Sequence, residues 1–141
     1  MGVVSSSLPA PKRAKRSTIL LVDDDPFQAY AHRSALERHY ANIERVVDAS
    51  GAFIRVEDPG FEETLALIVV GLRLPGVAGP AFVSELTARV PRVPVLVIGR
   101  AGESASDYCG DNVRFLSRAS SGKDLVGGVK GMLSKGLRRV A

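Results

Sequence analysis

Three carboxylates in a row, Asp23, Asp24 and Asp25, follow directly on the apolar run Ile19–Val22. Adjacent carboxylates repel one another and are tolerable only beside a cation or a basic side chain. Three consecutive acids exceed what helix capping needs, which makes the cluster the strongest site-like feature of the chain. The plainer alternative is that Asp25 caps a helix while the other two are solvated. Arg73, Arg100 and Arg118 each stand just beyond another apolar run. Arginine stays charged and can hold a carboxylate bidentately. One of the three is therefore expected to pair with Asp23 or Asp24 and neutralise the cluster permanently, the alternative being ordinary surface arginines. His32 and His39 lie seven residues apart with no further ligand set, so they are not expected to bind a metal. Cys109 lacks a histidine partner and reads as a half-buried structural thiol. Acids, not glycines, follow the first apolar run, so no phosphate-binding glycine loop stands there.

The elements that must position these residues recur at regular intervals. Ile19–Val22, Leu65–Val70 and Val95–Ile98 are continuous Val/Ile/Leu runs, with weaker β-like stretches at Ile43–Val47 and Val113–Leu116. Continuous apolar runs, unlike alternating ones, mark strands buried on both faces, as in a parallel sheet. The segments between them are long enough for crossover helices. Asp25 as N-cap and Pro26 at the first helical position open a helix to about Tyr40, with Phe27, Tyr30, Ala31, Ala35 and Leu36 expected against the sheet. A short helix is expected at about 50–57, ended by Asp58-Pro59-Gly60. A third covers about 80–89, with Phe82, Val83, Leu86 and Val90 apolar and Pro91 ending it. A fourth near 103–109 is poorly marked. The last, about 121–139, places Leu125, Val129, Met132, Leu133 and Leu137 at helical spacing but also holds Gly127, Gly128, Gly131 and Gly136. Each glycine weakens a helix interior by about 0.8–1 kcal/mol relative to alanine, so packing must hold this one. Five βα units predict an α/β fold, a doubly wound five-stranded parallel sheet of strand order 2-1-3-4-5. Ligands in such folds sit beyond the carboxyl ends of the strands. That restricts the site to Asp23–Asp25, Gly71 and Arg73, Gly99 and Arg100, and Ser117 and Arg118.

Length and charge narrow the function classes. With 141 residues, 45% hydrophobic and 24% charged, the chain suits one globular domain. Its apolar runs fall far short of the roughly 20 residues of a transmembrane helix. No apolar stretch precedes the basic cluster as in a signal peptide, and a single cysteine cannot form an internal disulfide, so a cytoplasmic setting is expected. The net charge of +4 equals the contribution of Lys12, Arg13, Lys15 and Arg16 in residues 1–17, which hold no acid. Residues 18–141 are therefore formally neutral, and nucleic acid is not an expected partner of the domain. Residues 1–17 read as a disordered basic arm, and 18–141 as the folded domain. Met1-Gly2 with Ser6 fits the loose N-myristoylation pattern, and KRAKR is a generic anion-binding patch. A solvated tail is the simplest reading of the arm, and a weak nucleic-acid or membrane tether the alternative.

LLVDDDPF, LALIVVGLRLPGVAG, VPVLVIGRAG and VRFLSRAS, in this order and spacing, resemble the signature stretches of bacterial response-regulator receiver domains of the chemotaxis type, with a flavodoxin-like fold. The resemblance covers about residues 18–138, and Leu74-Pro75-Gly76 and the acidic pair are its most specific parts. It implies that Asp23 and Asp24 occupy the place of a Mg²⁺-binding pair. The phosphate-accepting aspartate is replaced by Gly71, and the phosphate-binding hydroxyl by Gly99. Bulky Arg100 takes the place of the small residue after it. Arg118 replaces the lysine that pairs with the acids and the phosphate, and Ala119 the proline after it. Phe115 keeps the switch aromatic.

Phosphoryl transfer to protein needs a nucleophile, a positioned metal and charge stabilisation. With the nucleophile absent, the resemblance implies a degenerate pseudo-receiver of two-component signalling or phosphorelay type. It would be no enzyme and would have no cofactor beyond weak Mg²⁺ binding at Asp23/Asp24. Its implied partner is a kinase or other signalling protein. The expected docking surface combines the fourth helix near 103–109, the strand Val113–Leu116 and the last helix, and a homodimer could use the same face. A competing reading takes Asp23-x-Asp25 as the start of a haloacid-dehalogenase-like phosphatase. Against it, Phe27 stands where a small hydroxyl residue is expected, and the chain is too short for a cap domain.

Overall fold

The structure, a computed structural model, describes residues 16–71, 73, 79–100, 102–108, 110–117 and 121–140. The turn Leu74-Pro75-Gly76, Cys109, Arg118, Ala119 and most of the basic arm lie outside these residues. Five strands run in parallel: β1 (Thr18–Val22), β2 (Asn42–Val46), β3 (Leu65–Val70), β4 (Val95–Ile98) and β5 (Val113–Leu116). Their order across the sheet is β2-β1-β3-β4-β5, as the succession of βα units predicts. The helices are α1 (Pro26–Glu37), α2 (Ala49–Val56), α3 (Pro59–Thr64), α4 (Gly79–Arg89) and α5 (Gly122–Val140), with a 3-10 turn at Ala105–Asp107.

Why the sheet is parallel and central is visible in β3, whose six residues LALIVV are all buried. Alternate side chains feed two cores. Leu20, Val22, Ile68, Val70, Val95 and Val97 point to the layer of α2, α3 and α4. Ile19, Leu21, Leu67, Val69, Leu96 and Ile98 point to the layer of α1 and α5. A fully buried leucine such as Leu20 contributes about 2–5 kcal/mol by the measure of truncation to alanine. In α5, Leu125, Val129 and Met132 are buried at helical spacing, so packing does hold the glycine-rich helix. Among the described residues, no helix is long and apolar enough to cross a membrane.

Three local expectations are overturned. Helix α1 turns Ala29 and Leu36 to the core and leaves Phe27 86% and Tyr30 76% exposed, with Ala31 also exposed. Its inward stripe is Ala29, His32 and Leu36, spaced i, i+3, i+7, and the large aromatics fall on the opposite face. The helix also stops at Glu37, short of Tyr40. Asp58-Pro59-Gly60 follows the end of α2, as expected, and also opens a helix that the sequence reading did not include. Asp58 accepts a hydrogen bond from the Gly60 N–H at 3.0 Å and, with Pro59 at the first position, starts α3. The fourth helix expected near 103–109 is only the 3-10 turn, since Ser104–Asp107 carries no apolar face and the Asp107 carboxylate closes back on the Ser104 N–H at 2.8 Å. Gly102 and Gly110, both at positive φ, flank that turn. At the other end of the fold, Arg16 donates to the carbonyls of Glu62 and Leu65, and the Ser17 N–H to that of Thr64, so these two residues of the expected arm touch the domain.

Candidate functional site

The carboxyl ends of β1, β3 and β4 bring Asp23, Gly71 and Gly99 onto one edge of the sheet. Each extends its ladder by one bond: Asp23 N–H to the Val46 carbonyl, Gly71 N–H to Val22 and Gly99 N–H to Leu116. Asp23 is completely buried, a charged side chain placed there by the strand and not by solvent. One of its oxygens, Oδ1, accepts from the Asp25 N–H at 3.0 Å. Its other oxygen, Oδ2, faces Gly71 and lies 3.4 Å from Nδ1 of His32, a side chain only 14% exposed. The angles of that approach satisfy neither buried atom as a hydrogen bond. A Cβ at position 71 would stand 2.9 Å from Asp23 Oδ2, so any side chain here must displace the carboxylate.

The three acids have separate roles. Asp25 caps α1, its Oδ1 accepting from the N–H groups of Phe27 at 3.0 Å and Gln28 at 3.4 Å. Asp24 accepts the backbone N–H of Arg73 on both oxygens, at 3.0 and 3.1 Å. The Arg73 guanidinium hydrogen-bonds Gln28 and lies 3.7 Å from Asp25. Arg100 places its Nε 4.0 Å from Glu103, whose carboxylate also accepts the Arg100 N–H at 2.8 Å. Of the three arginines expected to pair with Asp23 or Asp24, Arg73 meets Asp24 through its main chain, and Arg118 lies outside the described residues. Arg73 serves Asp24 through its backbone and Asp25 through its side chain, and the titratable group beside Asp23 is His32. Arg45 reaches only the Asp23 carbonyl, at 3.1 Å. Sequence spacing alone could not place His32, because its approach to Asp23 depends on the rotational phase of α1.

The β4 end is arranged differently. The Phe115 ring lies directly over Gly99, in the volume that any side chain at 99 would need. Tyr108 stacks beside it with ring centroids 5.8 Å apart and planes inclined by 30°. The Tyr108 hydroxyl in turn lies over Gly79 at the start of α4, next to Glu103. Burial, followed by its hydrogen bond to Glu103, holds the Tyr108 phenol well above its usual range. A packed aromatic pair thus fills the space beside Gly99.

The residues present do not fit a resident Mg²⁺. Asp24 is already bonded to the Arg73 N–H, and Gly71 offers no side-chain ligand atom. Among the described residues, no three His, Cys, Asp or Glu side chains are arranged to hold a metal ion.

No protein-family model matches the chain, and no curated protein matches it. Solved structures do. The signal receiver domain of a signal transduction histidine kinase from Syntrophus aciditrophicus is similar with TM-score 0.69 and 23% identity, covering 84% of this chain and 91% of that one. A response regulator receiver protein from Sinorhizobium medicae WSM419 has TM-score 0.71 and 20% identity over 88% of this chain and 98% of its own. The receiver domain of the hybrid histidine kinase CckA has TM-score 0.61 and 26% identity, covering 82% and 98%. The chain thus has the receiver fold.

Proposed function

We propose that this chain is a phosphorylation-independent pseudo-receiver, a signalling module that works by binding another protein and catalyses nothing. The observation that carries the reading is Gly71: the strand end that would present a nucleophile beside Asp23 presents no side chain. Two further features support it. Phe115 occupies the volume over Gly99, and Asp24 and Asp25 are engaged by Arg73 and by the first turn of α1. Phosphoryl attack needs a nucleophile at the strand end, and the glycine at 71 supplies none. The domain accordingly holds one arrangement of its strand-end loops and offers a constant surface to a kinase or another regulator, in a cytoplasmic signalling pathway.

A phosphatase of the haloacid-dehalogenase type is disfavoured by the same geometry. Asp23, its nucleophile, has no exposed surface, and the Asp25 carboxylate is bonded to the N–H groups of α1 in place of a leaving group. The reading is tested by intact-protein mass spectrometry after incubation with Mg²⁺ and a small phosphodonor such as acetyl phosphate, beside an ordinary receiver. The expected result is an adduct on the control only. A phosphoryl adduct on this chain would overturn the proposal and make Asp23, Asp24 and Asp25 the first positions to map.

A further inference from the structure

Helices α1 and α5 leave between them a groove of about 720 Å³ on the face away from the sheet. Its floor is apolar and small, with Ala31 and Ala35 from α1 and Val126 and Gly127 from α5. Arg38, Lys123 and Lys130 stand on its rim with His39, and no carboxylate lines it among the described residues. The acids nearest on the same helices are engaged elsewhere, Glu37 with Arg33 and Asp124 with Ser121. On α1 the exposed Phe27 and Tyr30 share a helical face with Ala31, Ser34 and Arg38, by their spacing of three, four, seven and eleven residues. The apolar strip therefore continues past the groove toward the start of the helix.

Gly127 is the second observation. A Cβ there would meet nothing within 4 Å, whereas one at Gly122 would press on Ala35 at 3.2 Å, a close approach of the two helices. Internal packing explains Gly122 but not Gly127, where glycine weakens the helix and leaves open space. That space is the groove floor.

From these features we propose that the α1–α5 groove is a docking site for an acidic amphipathic segment of a partner protein, apolar side chains seated on the floor and carboxylates on the rim. This rests on the reading of the chain as a binding module and names the chemistry of its partner. The basic arm of the chain itself cannot be the occupant, since Lys12, Arg13, Lys15 and Arg16 would meet like charge. A second copy is disfavoured because Glu57, Asp58 and Glu85 on its α2–α4 surface are already paired with Arg89 and Arg55. A nucleic-acid backbone would satisfy the rim but leave the floor uncovered.

The test is a ¹H–¹⁵N NMR titration of the full chain with a synthetic helical peptide carrying leucine at i, i+3, i+4 and i+7 and glutamate elsewhere. The same pattern with lysine in place of glutamate and a single-stranded DNA oligonucleotide are run in parallel. The glutamate peptide is expected to shift the amides of Ala31, Ala35 and Gly127 selectively. Reversing Lys123 and Lys130 to glutamate, both exposed, should weaken it about tenfold. Gly127→Leu should abolish the shifts while raising the thermal unfolding midpoint, a separation that a purely structural glycine would not give. Equal binding of the lysine peptide, preference for the DNA, absence of localised shifts, or full binding by Gly127→Leu would each overturn the proposal. A phosphoryl adduct in the mass spectrum would instead overturn phosphorylation independence and leave the groove result standing.

Discussion

Two strand ends in this molecule carry glycine where the receiver resemblance implies a reactive side chain, yet the surroundings have responded in opposite ways. At Gly71 the vacated volume borders a buried carboxylate, and Asp23 Oδ2 faces it without a satisfied hydrogen bond. At Gly99 the volume is filled by the Phe115 ring, itself braced by Tyr108. The first is an electrostatic vacancy and the second a steric one. A glycine at a strand end is therefore not one kind of environment. A polar neighbour stays where the strand holds it, whereas an apolar neighbour moves in, because apolar contact rewards close packing and a buried charge does not.

Charge and volume should consequently separate under mutation. Gly71→Asp brings a second carboxylate against buried Asp23 and should cost about 3 kcal/mol in denaturant unfolding at neutral pH. Repeating it in an Asp23→Asn background should recover the larger part, and equal losses in both backgrounds would show the site to be steric after all. Gly99→Thr should cost about 2 kcal/mol by driving Phe115 out of its seat. Its penalty should fall sharply in a Phe115→Ala background, giving a coupling energy of about 1 kcal/mol or more in the double-mutant cycle. Asp23→Ala removes the acceptor of the Asp25 N–H and the neighbour of His32, at an expected cost of about 1–2 kcal/mol by the same unfolding measurement.

The smallest effect concerns Tyr108. Its phenol pKa in the folded chain lies above the unfolded value, so its protonated form contributes stability below about pH 10. That contribution is lost as pH rises from the unfolded value through the folded one. Tyr108→Phe should therefore be less stable by about 1 kcal/mol at neutral pH, with the difference from the parent shrinking in strongly alkaline solution. A pH-independent difference would mean that the Tyr108 phenol ionises alike in the folded and unfolded chain.

Much of the fold was legible because its signals are local. LALIVV can only be a strand buried on both faces, and Asp25-Pro26 is a helix start whose cap bonds form as the residue types require. The glycines at 71 and 99 were legible as strand-end positions because each closes an apolar run. What was not legible depended on rotation or on partners distant in sequence. Phe27 and Tyr30 carry more apolar surface than Ala29, yet Ala29 is the residue that faces the sheet. Asp58-Pro59-Gly60 carries the same chemistry as a turn and as a helix N-terminus, and only the length of chain left before β3 decides between them. His32 reaches Asp23 because the phase of α1 brings it inward, nine positions along. Phe115 belongs over Gly99 only once β4 and β5 pair in register, Val97 beside Phe115.

The Phe115–Gly99 interlock also bears on which changes the chain can accept. A side chain at 99 would need the space that the ring occupies, so the ring must first vacate it. Either change made alone gives a destabilised protein, one with a clash and the other with a hole. The two residues act as a latch, and only a paired substitution at 99 and 115 opens that corner of the sheet to a new side chain.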